Sequence, residues 1–324
     1  MSHDLPAAIV IPVLNRRNLI GKAIRAALEQ SHPDCIVIAV DDGSADGTWQ
    51  AMGEFAGHPQ LALIRLAKNT GTGPAKNMGI MLAGTRAVTF HDSDDRPHPD
   101  KLLRQARALG RTGLRPDPCL NWDILDRPAT GRMELGAVFA HHDLILPDGR
   151  QVTIRRDISI VDDVFPNVQM GDRVPGDWLH VNSGLFHPRI FAQLGGYTDS
   201  IEEDREFRNR IVLSGQLVWI IEEPLLTKIE TADSLTQSEA SGYLSPARTA
   251  ARAKVWQGVA EWMATRRIPP QPIDLDPATV AEIVNPGILS LSGALASPRT
   301  RRGLAGLIGQ AADQTRTNSP FSAS

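Results

Sequence analysis

The sequence predicts an α/β fold, a mostly parallel sheet with helices on both faces, and two observations predict it. The first third of the chain alternates short apolar runs with segments of helical periodicity. Its unusual polar and glycine-rich residues fall in the loops that follow the apolar runs, where open sheets of this kind bind ligands. No apolar run approaches the roughly 20 residues that span a bilayer.

The elements follow in order. Ala7 to Val13 reads as the first strand, a continuous apolar run. Leu19, Ile20, Ala23, Ile24, Ala27 and Leu28 recur at helical spacing, and that helix stops at the turn-forming Ser31, His32, Pro33 and Asp34. Cys35 to Val40 resumes the sheet. A helix near Thr48 to Ala56, a strand Leu61 to Leu66, a helix near Pro74 to Ala83, a strand Ala87 to His91 and a helix Pro99 to Leu109 complete the alternation.

From Gly110 to about Asp177 the rhythm fails, and Pro, Gly and Asp indicate loops with short strands such as Val152 to Ile160. Order returns at His180 to Tyr197, in a helix from Glu203 to Leu213 and in a strand from Leu217 to Ile221. After Ser234 the chain reads as helical, with Val255, Trp256, Val259 and Trp262 spaced for one buried face. Pro298 to Ser324 mixes Arg299, Arg301 and Arg302 with Leu304, Leu307 and Ile308; a docked terminal helix is the first reading and a peripheral membrane contact the second.

Composition narrows the function classes. The 324 residues carry a net charge of -3, so no broad field marks nucleic acid as a partner. Of the two cysteines, Cys35 sits in an apolar run, and no Cys/His spacing suits zinc. Residues Met1 to Pro6 lack the basic start and apolar core of a signal peptide. A cytoplasmic enzyme, at most peripheral to a membrane, is the expectation; a homo-oligomer is left open.

Three clusters carry chemistry. Asp41 and Asp42 end the second strand, where a carboxylate can accept hydrogen bonds from ribose or a base, while Asp46 caps the next helix. Asn69 to Asn77 (NTGTGPAKN) places a glycine-rich loop before a helix bearing Lys76, an arrangement suited to a diphosphate. The third glycine of a dinucleotide fingerprint is missing, which disfavours a nicotinamide enzyme. Asp92, Ser93, Asp94 and Asp95 crowd three carboxylates into four positions, which repel unless a cation such as magnesium or manganese neutralises them. The bland alternative is a solvated acidic turn. Glu203 and Asp204 open a late helix, whose dipole favours the ionised carboxylate that a general base must be.

Together IVIPVLN (9–15), VDDGSADGT (40–48), NTGTGPAKN (69–77), DSDDRPHPDKL (92–102) and EDREFRNR (203–210) resemble glycosyltransferase family 2. The resemblance implies the GT-A fold, a Rossmann-like mixed sheet with helices on both faces, here with a helical C-terminal extension. It implies a nucleotide-sugar-binding half over 1–110, an acceptor and catalytic-base half over 111–236, and the extension over 237–324. The implied nucleotide-sugar contacts are Pro12, Leu14, Asn15, Asp42, Asn69, Lys76, Asp92 and Ser93. Asp92 and Asp94 match the family's metal carboxylates, with Asp95 the alternative ligand; the implied cofactor is Mn2+ or Mg2+. Asp204 matches the base, with Glu203 beside it.

Gly184 to Gly196 resembles the acceptor-side segment, with His187 where the family often has Arg, and Lys228 to Thr236 resembles the loop that closes over the donor pyrophosphate. The implied activity is inverting transfer of a hexosyl or N-acetylhexosaminyl group from a nucleotide-sugar, a UDP-sugar favoured, to the hydroxyl of a glycan, glycoside or other acceptor. Two rivals stand beside it. A nucleotidyltransferase would carry a basic, glycine-rich loop after the first strand, and Pro12 to Arg17 has no glycine. A non-catalytic nucleotide-sugar binder would have no need of both the Asp92 cluster and Asp204.

Overall fold

A computed structural model describes residues 5–110, 135–154, 181–214, 216–229, 242 and 244–317. Its frame is a ten-stranded mixed sheet. The strands are β1 (Ala7–Val13), β2 (Cys35–Asp41), β3 (Leu61–Leu66), β4 (Ala87–Phe90), β5 (Arg96–Pro97), β6 (Leu135–Ile145), β7 (Gln151–Ile154), β8 (Leu185–Phe186), β9 (Leu217–Ile229) and β10 (Val280–Val284). They lie in the order β10-β3-β2-β1-β4-β8-β6-β9-β5, with β7 paired to β6. The described helices are α1 (Arg17–Leu28), α2 (Thr48–Gly53), α3 (Thr72–Leu82), α4 (Lys101–Leu109), α5 (Pro188–Leu194), α6 (Glu203–Leu213), α7 (Pro246–Thr265) and α8 (Pro298–Thr317).

The first four strands are parallel, as helical crossovers require. Both faces of β1 are covered. Ala7, Ile9, Ile11 and Val13 pack with Ile20, Ala23, Ile24 and Ala27 of α1 and with Leu102 and Ala106 of α4. Ala8 and Val10 turn the other way, towards Met78, Ile80 and Met81 of α3. The second half departs from the parallel pattern: β8 pairs antiparallel with both β4 and β6, whereas β9 runs parallel to β6.

α3 reaches β1 closely because Gly79 carries no side chain; a Cβ there would stand 2.3 Å from Val10 Cγ1. Overpacking of this kind costs about 1–3 kcal/mol, so Gly79→Val is expected to lower the urea midpoint without changing the slope. An unchanged midpoint would show that the α3–β1 contact is slack.

Three expectations need correction. The strand expected to stop at Ile221 runs on to Ile229 past Pro224, because register shifts in β6 around His141 accommodate the proline. The C-terminal part carries the helices α7 and α8 but also β10, which pairs antiparallel with β3 through a bulge between Val280 and Glu282. On α7 only Val255 and Val259 of the four expected residues are buried; Trp262 is half-buried and Trp256 is exposed.

The apolar face of α8 is spent on the core. Leu304 is buried, Leu307 and Ile308 pack beside it, and Arg301 donates to the Ser292 and Ala294 carbonyls. That docking is the first reading of this segment. Among the described residues no helix is long and apolar enough to cross a membrane. Residues 155–160 of the expected strand Val152 to Ile160, and Cys119, lie outside the described residues.

Candidate functional site

The strand order β3-β2-β1-β4 reverses direction of connection beside β1, so the loops after β1 and β4 flank the topological switch point, where ligands of open α/β sheets bind. The loop after β1 is stitched to the loop after β2. Asn15, held at a φ of 51°, donates its N–H to Ser44 Oγ at 2.8 Å, and its Oδ1 accepts from Ala45 N–H at 2.9 Å. Pro12 and Leu14 are half-buried beside it, and Asn15 is exposed. Asp46 accepts from the N–H groups of Thr48, at 2.9 Å, and Arg17, at 3.1 Å, and so ties the starts of α2 and α1 together.

Asp42 organises the glycine-rich loop. Its carboxylate accepts from Thr70 N–H and Oγ1–H, both at 2.7 Å, and from Gly71 N–H at 2.9 Å. Burial pushes this carboxyl up and the Thr70 and Gly71 hydrogen bonds pull it back. Asn69 Oδ1 shares the Gly71 N–H, at 2.9 Å. Gly43 is obligatory in this turn: its φ is 77° and a Cβ would lie 2.5 Å from the Lys68 backbone.

The acidic cluster sits after β4, with Asp92, Ser93 and Asp94 half-buried and Asp95 turned inward. Both carboxylate oxygens of Asp95 are shielded from solvent. Pairing of β5 with β9, Arg96 opposite Thr227, brings Lys228 beside the cluster. Burial, then the charges of Asp92 and Asp95, push the Asp94 carboxyl up to about 6 against the pull of Lys228. Burial also raises Asp95, opposed by Lys228, His91 and Lys101. Lys101 is itself buried, donates to Thr89 Oγ1 at 2.9 Å, and is drawn down by burial to about 7.

Among the described residues no three His, Cys, Asp or Glu side chains form a protein-only metal cage. Magnesium and manganese need none, since one or two carboxylates plus substrate phosphates suffice. The mutually repelling oxygens of Asp92 and Asp94 are a hard donor set that fits such an ion.

Lys76 is placed away from the open loop. Its side chain is 1 % exposed, and its ammonium donates to Asp204 Oδ1 at 2.5 Å and to Glu203 Oε1 at 3.3 Å. Tyr197 and Phe90 cage it, with ring centroids 4.9 and 5.7 Å away. Burial favours the neutral amine, but Asp204, Glu203 and Asp92 win and raise the lysine above its ordinary range. Burial and the Asp204 charge push Glu203 up to about 7. The charge of Asp204 is felt at Asp95 and that of Asp92 at Lys76, so the two acidic motifs lie on the same side of the sheet, close enough to interact.

Asn77 and Tyr197 were not singled out from sequence. Asn77 clamps the chain entering α6: its Nδ2 donates to the Tyr197 carbonyl and its Oδ1 accepts the Tyr197 N–H, both at 2.8 Å. Tyr197 packs at 4.3 Å from Phe207, which stacks on Phe191. Asn77 is the last residue of the NTGTGPAKN run, but its partner lies 120 residues away and no local spacing reveals it. His187 is the N-cap of α5, its Nδ1 accepting from Arg189 N–H at 3.2 Å. Cys35 is buried and its thiol is pushed up to about 12, so it offers no nucleophile. Residues 230–236 of the expected pyrophosphate loop lie outside the described residues.

Residues 8–115 match the model of glycosyl transferase family 2. The putative teichuronic acid biosynthesis glycosyltransferase TuaG of Bacillus subtilis is 34 % identical over 99 residues, covering 30 % of this chain and 39 % of that protein. Glycosyltransferase GlyA of Streptococcus pneumoniae is 30 % identical over 226 residues, 69 % of this chain and 30 % of that protein. The chain thus spans between 14 % and 39 % of the length of the curated relatives it matches. S. aureus TarS 1–349, crystallised with UDP-GlcNAc, shares the fold at a TM-score of 0.54 and 14 % identity, over 81 % of this chain and 66 % of that one. The motif blocks stand in order on a GT-A sheet, and residues 8–115 carry the likeness to glycosyl transferase family 2.

Proposed function

We propose that the chain is a metal-dependent inverting glycosyltransferase, taking a hexosyl or N-acetylhexosaminyl group from a nucleoside diphosphate sugar to an acceptor hydroxyl. The observation that carries this reading is the convergence of Asp204, Glu203 and Lys76 with Asp92 at the switch-point side of the sheet. TarS, which shares the fold, was crystallised with UDP-GlcNAc, and a UDP-sugar is the donor we favour.

Asp204 takes the proton of the acceptor hydroxyl as that oxygen forms its bond to the anomeric carbon. The bond from that carbon to the diphosphate oxygen breaks on the opposite face, and the nucleoside diphosphate leaves with the electron pair. Asp92 and Asp94 would hold a divalent cation, whose contribution when bound is neutralisation of charge on the diphosphate. Pro12, Leu14 and Asn15 would line the nucleotide pocket, and Asp42 and Asn69 would shape its loop.

Thermal-shift screening of UDP, GDP and dTDP with manganese tests the donor side, because a ligand that prefers the folded state raises its melting point. One nucleotide is expected to shift the midpoint with manganese and less with a chelator. No shift from any of the three would remove the reading.

A further inference from the structure

Resting on that reading, we propose that Lys76 is a positioning residue for the base: it pins Asp204 Oδ1, leaves the other oxygen to the acceptor, and makes no contact with the donor. The geometry carries this. The shorter of the two Lys76 bonds goes to Asp204, whose side chain is 32 % exposed, against 11 % for Glu203. With Oδ1 committed to Lys76, no hydrogen bond to Asp204 Oδ2 is formed among the described residues.

The ammonium has little freedom to turn elsewhere. It is caged by Tyr197 and Phe90, and Tyr197 is fixed by both ends of the Asn77 amide. A buried ammonium that left its carboxylates would lose its charge compensation. Two carboxylates facing one cation also divide the work unequally. The charge-assisted bond at 2.5 Å goes to the more exposed Asp204, whereas Glu203, at 3.3 Å, is more deeply buried and is pushed up to about 7 by that burial and by the Asp204 charge. The lysine therefore selects which of two adjacent acids serves as the base.

The test compares Lys76→Met and Lys76→Arg with the parent enzyme. Lys76→Met is expected to lower kcat about 100-fold while the nucleotide Kd stays within about threefold. Removing the cation takes away the counter-charge that the base faces, so the acid limb of the pH–rate profile should move to higher pH. Lys76→Arg, which keeps the charge, should recover part of kcat and return the limb towards its parental position. A raised donor KM with kcat and pH profile intact would make Lys76 a donor contact and overturn the proposal.

Should Lys76→Met fail to fold, the side-chain ammonium resonance of Lys76 in the parent protein decides. It is expected to move in Asp204→Asn and to stay put on addition of UDP or GDP with magnesium. No response to Asp204→Asn, or a large response to a nucleotide that binds, would sink it. Absence of any nucleotide binding or transfer by the parent protein would instead count against the function proposed above. The Lys76 response to Asp204→Asn is read without either activity.

Discussion

Asp204→Asn is expected to reduce sugar transfer by about 10³-fold, the scale set by loss of a general base. Nucleoside diphosphate binding should stay within a few-fold of the parent. The amide keeps the size of the side chain and an oxygen for Lys76 at the Asp204 Oδ1 position, but it has no basic oxygen for the acceptor proton. The separation matters because the same carboxylate also compensates a buried ammonium. A folding defect would show as a lowered melting point and weakened nucleotide binding together. Full turnover by Asp204→Asn in a coupled assay for released nucleotide would remove the residue from the role of base.

How much of this was legible in the sequence follows from which interactions are local. β1 and β3 run over the residues expected, because a strand buried on both faces is a plain apolar run between turn signals. Helix α6 likewise begins and ends where its periodicity places it, at Glu203 and Leu213. β10 escaped because the bulge at Val280 and Glu282 breaks the two-residue alternation, and Pro277 and Pro286 frame it like a loop. Pro224 hid the second half of β9, since its compensation lies in β6 rather than in its own neighbourhood.

The site shows the same division. Asp92, Asp94 and Asp204 announce themselves as carboxylates crowded into a turn or set at a helix start. The ion pairs of Lys76 were not visible, because its partners lie 127 and 128 residues away. The distinction between Asp95 and its neighbours is also tertiary: only the pairing of β5 with β9, and Lys101 beneath it, shows that Asp95 faces inward.

That inward turn makes Asp94 the more informative of the two to remove. In Asp94→Ala, the manganese-dependent part of nucleotide binding is expected to vanish. For the parent protein at a nucleotide concentration of 100 Kd, ligand stabilisation is about 2.7 kcal/mol, equivalent to a shift of roughly 5 °C. The variant should show no more than the parent treated with chelator. Its ligand-free melting point should move the other way, because burial and two like-charged neighbours make the Asp94 carboxylate unfavourable in the empty fold. Opposite movements of the two midpoints are what a binding carboxylate produces. Asp95→Asn, by contrast, removes a buried charge that faces Lys101 and Lys228. If Asp94→Ala kept the manganese-dependent shift while Asp95→Asn lost it, the metal would belong to the buried carboxylate and the cluster would have to open to receive it.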